Sequence, residues 1–460
     1  MVGDFKEEKT PYKIMTLAVL AVMFFLLCRM IYAGLIALPY PKSSQDAGNI
    51  ALTRMFIDKI SPYSSDSLER FIPGINYSQP FINSYLAALL AKIFGLAPVN
   101  SHFVISLFSI LFSGYLGYMI MGRYVSAPTC IPLLTALVFM LCHWKSGFIS
   151  STPFDLGLFL FVLTVYVSTE ERVRYKPMWC SVIVTLCFYT VPWATIAIIP
   201  ALVYMIVFNR KEALWFGLWT VCINALIVWF ITAHWPLYWV RVFVIPFFGL
   251  YHGRMIEVIV HSVPYIVRML AMLSAVGFFT LTEKIRSEDR EWLNIGIKTM
   301  AILIVAFTGL LLLPQHVLSS DELDNWKRAY ENTRVYRSRG QVYFAECLVY
   351  DQSFDFNDDN GDCLCSDDEI VNEETLDSVM NSGVSEKQIE LVRQITEQNL
   401  DYRRSLEELT RNRNYSLITL DDGYSVFDEA MLKNYGYEKI DSIVLRIGTE
   451  PCEVAFYALN

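Results

Sequence analysis

Apolar runs of membrane-spanning length recur along the chain from Lys13 to Pro314 and then stop. They predict spans near 14–38, 102–121, 129–144, 153–169, 178–190, 193–208, 213–233, 262–282 and 292–313. From His316 the texture changes to alternating short elements. QVYFAECLVY, YSLITL, DSIVLRI and EVAFYAL are rich in Val, Ile, Tyr and Phe, as strands are. Residues 384–411 read as one long polar helix, Glu-rich at its start and Arg-rich at its end, which suits the helix dipole. The expected fold class is a polytopic α-helical membrane protein of about nine spans with a C-terminal soluble α/β domain. The boundary is placed between a transmembrane domain, 1–315, and a second domain, 316–460.

The segment 78–97 is ambiguous, because Pro80 and Lys92 suit a re-entrant or interfacial hairpin as well as a span. Basic residues decide between these. If 78–97 does not cross, the loops carrying Arg123, Arg172, Arg174, Arg210, Lys211 and Lys284 share the side of Lys6, Lys9 and Lys13, and the opposite short loops carry few bases. That asymmetry is what the positive-inside rule requires. The N-terminus is then cytoplasmic and the C-terminal domain lies outside, beside two long outer loops at 39–97 and 234–261. The first apolar run is too long for a signal peptide and lacks a small-residue cleavage site, so it reads as a retained span.

Composition agrees. The 460 residues are 54% hydrophobic and 18% charged, where a soluble protein would have about 25% charged. Of the net charge of −9, the part after His316 is strongly acidic and the part before it net basic. An acidic outer domain argues against nucleic acid as a partner and against docking onto anionic lipid. Cys347, Cys363, Cys365 and Cys452 lie in that domain, where an oxidising compartment would permit a disulfide.

The first outer loop carries the most suggestive pattern. Asp46 opens AGNIALTRMFIDKI, whose Leu52, Met55, Phe56 and Ile60 share one side of a helix suited to an interface. Pro62 then ends it. On local pattern alone, Asp46 reads as the N-cap of that helix.

The longer pattern points elsewhere. An Asp after the first span, a short helix, Ser61-Pro62-Tyr63, Tyr77-Ser-Gln-Pro80 and Lys92-Ile-Phe-Gly95 together resemble the GT-C superfamily of membrane glycosyltransferases. The likeness is greatest to bacterial members related to protein mannosyltransferases and the aminoarabinose transferase of lipid A. It covers roughly residues 14–315 in layout, with the specific motifs confined to 46–95. It implies a glycosyltransferase that moves a sugar from a polyprenyl-phosphate donor to a glycan, lipid or protein acceptor at the outer face, with inversion. The implied general base is Asp46. Many relatives have a second acidic residue beside the first, where this chain has Ala47, a departure that weakens the case for a divalent metal. Tyr-Ser-Gln-Pro likewise replaces the family's Tyr-Pro-Pro.

A departing phosphate needs cations or donors facing the same side. Lys145, Arg241, His252 and Arg254 are the outward candidates, with His261 near them, and each alone also reads as a snorkelling interface residue. Asp155, which opens the fourth span, matches an acidic position in the family and is expected either to orient substrate or to start its helix. DFNDDNGDCLCSDDE reads first as a solvated acidic loop; it also has the alternating Asp and Asn of a calcium loop, with Asn360 at the glycine place unless one inserted residue brings Gly361 and Asp367 closer to register. The rival to the enzyme is a non-enzymatic membrane protein whose outer domain binds a partner or envelope component.

Overall fold

The computed structural model describes residues 10–37, 44–57, 81–124, 129–143, 153–191, 206–207, 209–240, 243–244, 255–284, 320–344, 361–363, 373–421, 427–447 and 450–459. The chain forms two compact units, Met1–Ile36 with Phe103–Ile227 and Ile256–Gln315, and Ala37–His102 with Val228–Met255 and His316–Asn460.

In chain order the helices before residue 316 are α1 (Thr10–Ala37), α2 (Ser44–Ile57), α3 (Phe81–Phe94), α4 (Pro98–Tyr124), α5 (Cys130–Cys142), α6 (Phe154–Thr169), α7 (Lys176–Phe188), α8 (Arg210–His234), α9 (Pro236–Trp239) and α10 (Met255–Lys284). Helices therefore stand at the expected spans, except that 193–208 (apart from 206–207) and 292–313 lie outside the described residues. Thr10–Cys28, Pro98–Arg123 and Arg210–His234 are long and apolar enough to cross a membrane unaided. The chain is a polytopic helical membrane protein.

The first unit is built on close helix packing. Tyr12, Met15 and Val19 of α1, Ile110 and Met121 of α4, Leu134 and Leu137 of α5 and Phe279 of α10 share one buried cluster. Gly114 and Gly117 let α4 and α5 approach: a Cβ at Gly117 would lie 2.8 Å from the Phe139 ring. Such small-residue contacts are how helices associate where lipid removes the hydrophobic drive. Polar side chains add to it between α7 and α8, where Ser181 Oγ donates to the Phe216 carbonyl at 2.9 Å and Asn224 Nδ2 to Thr185 Oγ1 at 3.1 Å.

In the second unit, α2 packs on α3, and the C-terminal part forms a sheet flanked by helices. Its elements are α11 (Ser320–Arg337), β1 (Gln341–Phe344), β2 (Gly361–Cys363), α12 (Glu373–Met380), α13 (Glu386–Arg411), β3 (Tyr415–Asp421), α14 (Glu429–Tyr435), β4 (Tyr437–Ile447) and β5 (Glu450–Leu459). The strand order is β2-β1-β3-β5-β4. β1 runs parallel to β2 and β3, whereas β5 is antiparallel to both β3 and β4. Tyr343, Tyr415, Tyr437 and Tyr457 form its core with Leu406 of α13 and Leu432 of α14, and Tyr437 Oη donates to the Tyr415 carbonyl at 3.0 Å.

The expected strands and the long helix are present, with two corrections. Helix α2 begins at Ser44, so Asp46 stands inside its first turn and is not the N-cap. Gly361 pairs with Val342 in the β1–β2 ladder, so it does not make the sharp turn that a calcium loop needs there. Cys452 lies half-buried on β5; the side chains of Cys347, Cys363 and Cys365 lie outside the described residues.

α11 is held to β4 by Arg328 and Asn332, which both bond the Asp441 carboxylate, each with a contact at 2.9 Å. Burial alone would raise the pKa of Asp441, but bonds from Arg328, the Ser442 N–H and Asn332 outweigh it and hold the pKa below the usual range. A depressed folded pKa gives stability that is complete above the unfolded value, about pH 4, and lost as pH falls through the folded value. Asp441→Asn should therefore flatten the acid side of the melting temperature against pH, and an unchanged acid slope would show that the contact contributes nothing there. Gly117→Ala should destabilise the first unit by about 1–3 kcal/mol through overpacking against Phe139. Thermal melting in detergent measures it, and a variant as stable as the parent would mean that α4 and α5 separate freely.

Candidate functional site

Helix α2 carries Asp46, and a buried hydrogen-bond network fixes where α2 lies. Thr53 Oγ1 is 2.7 Å from His102 Nε2 at the start of α4 and 2.8 Å from the Asn49 carbonyl. Asn83 Nδ2, on α3, is 3.3 Å from His102 Nδ1, and Ser84 Oγ donates to the Asn49 carbonyl at 3.2 Å. An amide nitrogen only donates, so His102 accepts at Nδ1 and carries its proton on Nε2. The ring then donates to Thr53, whose hydroxyl donates onward to Asn49. All five residues are buried. On α3 the face beside them is small (Ala87, Ala88 and Ala91), which permits the close approach.

The same region explains part of the motif. Lys92 Nζ donates to the Phe56 carbonyl at 3.2 Å, placing a cation at the C-terminal end of α2, and Phe56 meets the Tyr85 ring edge-on at 5.5 Å. Gly95, at φ +64°, closes α3, with the Leu96 N–H bonded to the Ala91 carbonyl at 3.1 Å. A left-handed residue there favours glycine. The described part of α3 has 14 residues, about 21 Å, against a hydrocarbon core of roughly 30 Å. Ser61, Pro62, Tyr63, Tyr77 and Pro80 lie outside the described residues.

A second polar group lies in the first unit, where α5 ends and α6 begins. Asp155, in the first turn of α6, lies 3.2 Å by Oδ1 from His143 Nδ1, the residue that ends α5. Both are buried, at 4% and 3% exposure, and among the described residues His143 Nε2 has no hydrogen-bond partner. Arg268 of α10 donates to the Cys142 carbonyl at 2.9 Å, and its guanidinium lies 4.7 Å over the Phe154 ring. A cation thus meets the end of α5 and a carboxylate the start of α6, each favourable to the helix dipole. With the carboxylate accepting from Nδ1–H, Nε2 presents a lone pair, which is a hydrogen-bond acceptor.

Asp155 stands in the first turn of α6, and the polar group it meets there is His143. Neither His143 nor Arg268 was singled out from the sequence. An arginine inside the apolar run 262–282 was the available signal, since such a residue is costly in a membrane unless it has partners. Lys145, Arg241, His252 and Arg254 lie outside the described residues, as do the side chains of Asp46 and His261. Among the described residues no three His, Cys, Asp or Glu side chains group as a metal site would require.

No protein-family model and no curated protein matches the sequence. Solved structures do. The chain is similar to the crystal structure of ArnT from Cupriavidus metallidurans bound to undecaprenyl phosphate, with a TM-score of 0.52 at 10% identity, over 95% of this chain and 97% of that one. The two chains share a fold, and the likeness takes in the C-terminal part as well as the helices.

The Asp155–His143 contact predicts a graded response. Asp155→Ala removes the carboxylate partner of a buried ring nitrogen and should cost about 1–3 kcal/mol, whereas Asp155→Asn retains an acceptor oxygen and should cost clearly less. Melting of both variants in detergent is the check, and equal loss would assign Asp155 to helix initiation alone.

Proposed function

We propose that this protein is a glycosyltransferase that moves a sugar from a polyprenyl-phosphate donor to an acceptor on the outer face of the membrane. The observation that carries the proposal is the fold likeness, over nearly the whole chain, to an enzyme crystallised with undecaprenyl phosphate. The buried network that holds α2 supports it, because a carboxylate used in catalysis needs a rigid element beneath it.

The reaction is an in-line displacement. The acceptor oxygen attacks the anomeric carbon from the face opposite the phosphate, the anomeric C–O bond to phosphate breaks, and configuration inverts. Polyprenyl phosphate leaves with the electron pair, and the acceptor's hydroxyl proton passes to Asp46. A positioned base of this kind contributes typically about 10²–10⁴-fold. Lys145, Arg241, His252 and Arg254 are assigned to the donor phosphate, which needs cations once it leaves water. Asp155, through His143, is assigned to orienting substrate.

Asp46→Asn is the decisive variant. Because Asp46 stands inside the first turn of α2, the amide loses only a dipole interaction of about 0.3–1 kcal/mol but cannot take the proton. The variant should stay folded and bind undecaprenyl phosphate as the parent does. Release of polyprenyl phosphate from a lipid-linked sugar should fall at least ~10²-fold. A folded variant with near-parental turnover would remove Asp46 from the chemistry. A parent that binds no undecaprenyl phosphate would favour the non-enzymatic reading.

A further inference from the structure

One end of the first unit gathers more cations than its own acids can pair. Helices α4 and α8 are long and apolar enough to cross a membrane. Arg123 near the end of α4, and Arg210 with Lys211 at the start of α8, therefore stand where spans meet headgroups. Contacts put those ends on one face. Arg123 pairs with Glu170 at the end of α6, its guanidinium 4.0 Å over the Tyr166 ring. Helix α7 begins just beyond, at Lys176, and packs on α8 near the starts of both. There Ser181 Oγ donates to the Phe216 carbonyl at 2.9 Å, and Thr220 Oγ1 donates to Ser181 Oγ at 3.0 Å.

Arg172, Arg174, Lys176, Arg210 and Lys211 thus share this face with Glu171 and Glu212. Among the described residues none of the five bases makes a salt bridge. Glu170 is already matched by Arg123. Its pKa is held below the usual range, first by the Arg172 N–H at 3.2 Å and then by the charges of Arg123, Arg172 and Lys176. Tyr175, Trp179, Trp215 and Trp219 follow the bases closely in the chain and are exposed. Such rings collect where headgroups meet hydrocarbon.

We infer that this face is a docking surface for anionic phospholipid headgroups: the α6–α7 turn and the start of α8 bind phosphates of the adjoining leaflet. Charge selects an anion, and the rings select lipid over an acidic soluble segment, which would leave them in water. Each base close to an anionic leaflet strengthens association about fivefold, an effect that fades beyond a Debye length. Nothing here depends on the proposed reaction.

The test reconstitutes the full chain in bilayers and compares how much spin-labelled phosphatidylglycerol and phosphatidylcholine it immobilises. The parent should prefer phosphatidylglycerol by about fivefold, the worth of one base per headgroup. Arg172→Gln with Arg174→Gln and Arg210→Gln should bring the two lipids close to parity. Arg172→Lys with Arg174→Lys and Arg210→Lys keeps the charge and should stay near the parent. A parent that holds both lipids equally would overturn the inference. So would a glutamine variant with the parental preference, which would place the lipid contact elsewhere on the chain. Should that variant fail to insert, the parent at about 1 M salt carries the test, because the Debye length is then only about 3 Å. The preference should fall toward parity there, and one that survives such salt would count against the surface.

Discussion

The hydrogen bond between Thr53 and His102 is the contact on which the candidate catalytic region depends. It joins α2 to the start of α4, and through Asn83 and Ser84 the same network takes in α3. Each bond is individually modest, about 0.5–1.5 kcal/mol net, but a buried partner left unmade costs about 1–3 kcal/mol. Sliding α2 by one residue would strand several of these groups together. The network therefore selects one register more than it adds stability. Its small neighbours Ala87, Ala88 and Ala91 are part of the same solution, since bulkier side chains would hold the helices too far apart to bond.

A related constraint shapes the Asp155 cluster. Helices α5 and α6 have 13 and 16 residues, about 20 and 24 Å, against a hydrocarbon core of roughly 30 Å. Standing upright, such helices end short of one face, and their terminal carbonyl and amide groups still need partners. Arg268 satisfies the end of α5, and Asp155 sits at the start of α6. Shortness thus demands polar side chains at depth. A buried histidine is tolerated there because one ring nitrogen is held by a carboxylate.

Much of the architecture was legible because it is written in local period. Apolar runs located the helices, and β-branched and aromatic clusters located β1, β3, β4 and β5. What escaped is held by distant partners. The described residues of β2, Gly361–Cys363, show no period to read and lie alongside β1. α11 is mostly polar and is tied to Asp441, more than a hundred residues away. The start of α2 was misread because SSQD offers several capping residues in succession, and the pattern does not rank them. Asp155 could be found from its position at a helix start. Pairing it with His143 depends on how α5 meets α6, and Arg268 reaches Cys142 across 126 residues of sequence.

The structural likeness at 10% identity has a physical basis that bears on where function resides. Buried and lipid-facing positions accept one apolar residue for another at little cost provided that volume and pattern persist. Identity can therefore decay across α1, α4, α5 and α10 while the packing survives, and sequence models lose the trail. Function is carried by the few positions where chemistry forbids exchange. Within the 46–95 motif the structure shows two scaffold positions. Lys92 and Gly95 hold the ends of α2 and α3, roles that a cation and a left-handed residue fill without any reaction. Asp46 has no such duty in capping, since α2 has already begun at Ser44. The proposed function gives Asp46 the proton, and the network around α2 would then serve to hold it still.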